Sequence, residues 1–90
     1  MKEKIIEYLR IINKSIQNLT DSVIKKDKSG EDDNIYNLHY YNDKLESLLV
    51  DQFERGKQIY VENFKDFNLS RWEEDLLNNI IENVKKKYNY

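Results

Sequence analysis

Apolar residues recur at Ile5, Leu9, Ile12, Ile16, Leu19 and Val23, in alternating steps of four and three. That spacing puts all six on one face of an α-helix; a strand, whose faces alternate every second residue, cannot use it. Tyr8, Ile11 and Ile24 widen the stripe, as suits a helix packed against two neighbours. A first helix is predicted over about 2–26. Lys25, Lys26 and Lys28 suit its negative end, and Gly30 can adopt the left-handed turn that closes it.

Glu31, Asp32 and Asp33 suit the positive start of a second helix, predicted over 33–64. Its inner face carries Ile35, Leu38, Tyr41, Leu45, Leu48 and Leu49 and continues through Phe53, Ile59, Tyr60 and Phe64. Gly56 interrupts the run, but glycine inside a helix costs only ~1 kcal/mol relative to alanine. The continuous helix is therefore preferred over a break at Arg55-Gly56. Residues 65–68 make the second turn. Ser70 with Glu73 three residues on forms a capping box. Trp72, Leu76, Leu77, Ile80, Ile81, Val84 and Tyr88 then define the inner face of a third helix over 70–88, with Lys85, Lys86 and Lys87 at its C-terminal end.

Three amphipathic rods with short connections imply an all-α fold, an antiparallel three-helix bundle running up-down-up with a long central helix, in one domain over 1–90. The central helix would be roughly 48 Å long against roughly 28 Å for the third at 1.5 Å per residue. The mismatch calls for a kink at Gly56, a close helix crossing there, or an overhang that joins two copies into a homodimer.

Leu, Ile, Val and Phe supply 26 of the 90 residues, well above the ~20% below which chains stay disordered. Alanine and proline are absent while Lys, Asn, Ile and Tyr are abundant, a residue set specified by A/T-rich codons and pointing to a low-GC bacterium or its phage. The absence of cysteine excludes disulfide and thiolate chemistry and agrees with a cytoplasmic location. With 15 basic and 17 acidic residues there is no large field to recruit nucleic acid. The lysine clusters sit at helix ends, so nucleic acid is not an expected partner. No apolar run approaches the ~20 residues a membrane span requires, and no membrane insertion is expected.

Catalytic and metal chemistry find little to work with. His39 has only Asp43 one turn away as a companion, and two ligands are too few for a metal. Glu3, Glu7, Glu54 and the run Glu73-Glu74-Asp75 lie among lysines or at helix starts, outside any apolar stripe that would raise their pKa. No serine or threonine sits in a nucleophile elbow, and no glycine cluster could cradle phosphate. No enzyme activity and no cofactor are expected.

What remains is surface. Tyr36, His39, Tyr40, Tyr41, Tyr60, Phe64 and Phe67 concentrate rings in one part of the chain, and aromatic residues anchor interfaces well. With Ile35, Leu38, Tyr41 and Leu45 facing inward, Tyr36 and Tyr40 project sideways one turn apart. Tyr36, His39, Tyr40 and Tyr60 are the candidate partner-binding residues; alternatively the rings only cover the core's edge with their hydroxyls in water. The leading expectation is a small helical inhibitor or adaptor that occludes a surface of a larger host or defence protein.

The segment Phe67-Asn68-Leu69-Ser70-Arg71-Trp72-Glu73-Glu74-Asp75-Leu76-Leu77-Asn78-Asn79-Ile80 resembles the last-helix segment of the immunity proteins of pediocin-like bacteriocins, such as those protecting against enterocin A, and overall size and helix count are similar. That resemblance implies a bacteriocin immunity role as the alternative function. An oligomeric small-ligand sponge, holding a nucleotide between subunits, is a third expectation.

Overall fold

Helix α1 spans Lys2–Ile24 and helix α2 spans Lys28–Glu54 in the computed structural model, which describes residues 2–90. Met1, counted in the domain expected above, lies outside the described residues. A short 3-10 segment, Val61–Phe67, follows, and helix α3 covers Arg71–Tyr88. The fold is all-helical, with no strand among the described residues.

The joint between α1 and α2 differs from the sequence expectation. Lys26, not Gly30, takes the left-handed conformation, at φ 57°. Its N–H donates to the Val23 carbonyl and the Asp27 N–H to the Ser22 carbonyl, the pair of bonds that satisfies orphan carbonyls at a helix end. Asp27 then caps α2 at once, its carboxylate accepting from the Gly30 N–H at 3.1 Å. Aspartate is among the strongest N-cap residues, so α2 begins at Lys28 rather than Asp33. Gly30 serves closeness instead: a Cβ there would lie 2.6 Å from Asp27 Oδ2 and 2.7 Å from Ser22 Oγ.

The continuous second helix is also corrected. Gly56 sits at φ 77°, and α2 stops at Glu54. The Gly56 N–H donates to the Phe53 carbonyl at 2.9 Å and the Lys57 N–H to the Gln52 carbonyl at 3.1 Å, the same terminating pair as at Lys26. A residue free to adopt positive φ closes the helix here, and the ~1 kcal/mol penalty of a mid-helix glycine is never incurred. The chain turns through residues 55–60, where the Tyr60 N–H donates to Asn63 Oδ1 at 2.8 Å to start the 3-10 segment. At 27 residues, α2 is roughly 40 Å long, close to α1 and still longer than the 18-residue α3.

The core gathers Ile5, Ile6, Leu9 and Ile12 of α1 with Leu45, Leu49 and Phe53 of α2. Ile59 and Phe64 of the connection and Leu77, Ile80, Ile81 and Val84 of α3 complete it. Among the described residues, the polar and ring contacts that tie α3 and the residues after it to the α1–α2 pair are at this end. Arg10 donates from Nε to Glu73 Oε2 at 3.2 Å and from Nη2 to the Phe67 carbonyl at 2.8 Å; Lys87 pairs with Glu46 at 3.6 Å, and the Phe53 and Tyr90 rings meet at 5.3 Å. Beyond that reach Val23 and Ile35, both expected inside, are exposed. Trp72 and Tyr88 are exposed too. Glu73, not Trp72, occupies the turn before Leu77 on the inner face of α3, where it closes the capping box with Ser70.

Two substitutions test the helix stops. Gly56→Ala has open space for its Cβ, so only the left-handed backbone opposes it, and a loss of about 1–2 kcal/mol in denaturant unfolding is expected; a continuous helix would instead gain about 1 kcal/mol. Lys26→Gly is expected to stabilise the fold by about 0.5–1 kcal/mol.

Stability should also depend on acid through Glu73, whose carboxyl is held below its usual range chiefly by the Ser70 N–H, against the opposing effect of burial and with the Arg10 guanidinium adding to the lowering. A carboxyl depressed in the folded state contributes stability above its unfolded pKa, and that contribution is lost as pH falls through the folded value. Glu73→Gln is therefore expected to flatten the loss of stability with acid below about pH 4.5, measured by melting against pH.

Candidate functional site

On α2 the apolar residues occupy two sides. Leu45, Leu49 and Phe53 point into the core, while Tyr36 and Tyr40, one turn apart, are 67% and 43% exposed. Their rings stack at 6.0 Å between centroids and 17° between planes. Tyr40 meets Tyr41 edge to face at 5.0 Å, and Tyr41 meets Tyr8 of α1 at 5.7 Å. Four tyrosines thus form a connected row from the outer side of α2 to α1. Offset and edge-to-face contacts of this kind add about 0.5–1.5 kcal/mol each beyond area burial, which favours one arrangement of the exposed rings.

Two lysines flank the row. Lys44 Nζ lies 5.0 Å from the Tyr40 ring centre and Lys4 Nζ 5.6 Å from that of Tyr8, within the range of cation–π attraction. Lys4 also bonds Glu7 at 3.2 Å, and that carboxylate holds its ammonium above the usual lysine range. Below Tyr40 a shallow hollow of about 460 Å³ is lined by Asp43, Lys44, Ser47 and Leu48. His39 is exposed, and its position on the helix places it on the flank of the Tyr36–Tyr40 stack.

Tyr60 does not join this group. Lys85 Nζ sits 5.4 Å from its ring centre and 5.9 Å from that of Phe53, at the opposite end of α2. Thirteen helical residues separate Tyr40 from Phe53, roughly 20 Å. Tyr36, His39 and Tyr40 therefore share one surface, and Tyr60 belongs to a second aromatic cluster with Phe53, Lys85 and Tyr90. Lys4 and Lys44 were not singled out from the sequence, and Tyr8 was read only as widening the inner stripe of the first helix, although Lys4/Tyr8 and Tyr40/Lys44 stand four residues apart, the spacing that brings side chains together on a helix. Trp72, read as an inner residue, is 58% exposed and borders a hollow with Asp75, Leu76 and Asn79.

The exposed row offers stacking faces, phenolic donors and acceptors, and two ammonium groups, a set suited to contact with another molecule. Among the described residues no three His, Cys, Asp or Glu side chains come together to hold a metal ion, and no helix is long and apolar enough to cross a membrane. The chain matches no protein-family model, no curated protein and no solved structure.

The exposed tyrosines should be separable from the fold. Tyr36→Ala with Tyr40→Ala removes two ring contacts and is expected to cost about 1–3 kcal/mol of unfolding free energy, whereas Leu45→Ala alone, at a fully buried position, should cost about 2–5 kcal/mol. Denaturant unfolding of the two variants makes the comparison.

Proposed function

We propose that this chain is a small helical protein-binding inhibitor or adaptor that covers a surface of a larger host or defence protein in the cytoplasm of a low-GC bacterium. The observation that carries the reading is the tyrosine row. Its outer members, Tyr36 and Tyr40, remain exposed although the core is complete without them, and ring contacts and Lys44 hold them in place. Rigid aromatic side chains lose little entropy on binding and fill partner pockets well. In this reading Tyr36, His39 and Tyr40 make the principal contact, Tyr60 contributes a separate one, and the helices are arranged up-down-up as an antiparallel three-helix unit. No cofactor takes part.

A second reading, self-association into a homodimer, is favoured by Val23, Ile24 and Ile35, which are exposed where α1 ends and α2 begins. Burying them between two copies would remove apolar surface from water. Sedimentation at micromolar concentration distinguishes the two, since a monomer there removes the dimer reading.

The principal reading is tested by affinity capture from a low-GC bacterial lysate, followed by direct calorimetry with whichever protein is recovered. The paired Tyr36→Ala and Tyr40→Ala variant is expected to lose at least about tenfold in affinity, ~1.4 kcal/mol, with helicity retained. Unchanged affinity would remove the tyrosine row from the interface. Expression in a bacteriocin-sensitive strain supplies the competing outcome: protection from a pediocin-like bacteriocin would favour the immunity role suggested by the Phe67–Ile80 segment.

A further inference from the structure

At the other end of the molecule, the first turn of α1, the last turns of α2 and the start of the 3-10 segment enclose a pocket of about 310 Å³. Its floor is apolar, built from Ile5, Ile59 and Phe64, all buried. Its polar lining residues are Lys2, Lys57, Gln52, Gln58 and Asn63, with no Asp or Glu among the described residues that line it. The chain reversal at Gly56 creates this space. Lys57 follows the left-handed residue directly, and the turn carries Ile59 and Phe64 back toward Ile5.

Gln52 is the unusual member. It is only 7% exposed, yet among the described residues its side-chain amide makes no hydrogen bond, the bonds at this residue being made by its main-chain carbonyl to the N–H groups of Arg55 and Lys57. Among the described residues the fully buried side-chain atom without a partner is Asn13 Oδ1, so the unbonded Gln52 amide keeps access to solvent although the residue as a whole is buried. Gln52 is one of the residues that line the pocket. Asn63 adds a second donor, because its Oδ1 accepts from the Tyr60 N–H and leaves the Nδ2 hydrogens for other partners. Two amide donors and two cations above an apolar floor suit an anion with an apolar body. The volume lies at the lower limit of small-molecule sites, ~300 Å³, which restricts the apolar part to a single ring or a short branched chain.

We propose that this pocket binds a carboxylate carried on one small apolar group, its oxygens accepting from the Gln52 and Asn63 amides beside Lys57 and Lys2, and its apolar part resting on Ile5, Ile59 and Phe64. A free carboxylic acid and the C-terminal residue of a protein share this chemistry. The site is independent of the tyrosine row. Gln52 lies twelve residues beyond Tyr40 along α2, roughly 18 Å.

The test is a residue-resolved NMR titration of the full chain with hydrocinnamate, against its neutral carboxamide and against acetate, which lacks the apolar part. Saturable shifts of the Gln52 and Asn63 side-chain amides are expected with hydrocinnamate, with binding weaker by about tenfold or more for each control. Lys57→Gln, at an exposed position, should weaken hydrocinnamate several-fold without altering the melting temperature. Gln52→Leu should remove binding while the fold persists. A peptide ending in phenylalanine, with its terminus free or amidated, distinguishes the sources: tighter binding of the free-terminus peptide than of hydrocinnamate assigns a protein C-terminus, and the reverse order assigns a small acid. Absence of a saturable shift with both hydrocinnamate and the free-terminus peptide, or equal binding of the carboxamide, would overturn the proposal.

Discussion

Where α2 stops decides much of the molecule. With Gly56 in the left-handed region, the carbonyls of Gln52 and Phe53 find donors in Lys57 and Gly56, and the chain leaves the helix axis instead of extending it. Ile59 and Phe64 then close the end of the core that α1 and α2 alone would leave open to water. The same departure delivers Asn68, itself at φ 52°, and the Ser70 cap to the side of α1, where Arg10 bonds both the Phe67 carbonyl and Glu73. Without the stop, an uninterrupted helix would carry Ile59 and Phe64 away from Ile5.

That geometry also explains why the apolar surface is unevenly covered. Helix α3, at 18 residues, is shorter than the pair it packs on, and its contacts with Arg10, Glu46 and Phe53 lie at one end. Over the other end, among the described residues, α1 and α2 shield each other. Small polar side chains, Ser15 and Ser22, are buried there, and a seam that close leaves the flanking side chains outside. Ile35 and Val23 are therefore exposed through lack of a neighbour rather than through a failure of pattern. The tyrosines sit on this less covered part and shield one another, which lets large rings remain in water without collapsing onto the core.

The helical character of the chain was legible because the four-and-three spacing from Ile5 to Val23 reports only a local repeat, and an all-helical fold realises it. The ends of the helices were harder to read. Lysine at a left-handed position is disfavoured by its Cβ, so Lys26 carried no signal of its role, and Asp27, an effective cap, was hidden among charged neighbours. At Gly56 the residue was conspicuous, but a mid-helix glycine and a terminating one differ only in whether the following N–H groups can reach back to the last carbonyls. In the candidate site, Tyr36 and Tyr40 followed from helical phase alone. The contribution of Tyr8 required knowing which turn of α1 faces Tyr41, a tertiary fact, and the separation of Tyr60 required the break after Glu54.

The pocket beside Gln52 follows from the same break, and it was invisible in the sequence for a related reason. In a continuous helix Gln52 would be an ordinary polar residue one position before Phe53, and Lys57 would lie on the helix surface more than one turn beyond it. Terminating the helix bends Lys57 back across Gln52 through a main-chain bond, while Ile59 and Phe64 line the same pocket. The tyrosine row and this pocket are thus two consequences of one helix: its outer flank carries rings the core does not need, and its end carries an amide that makes no bond within the fold.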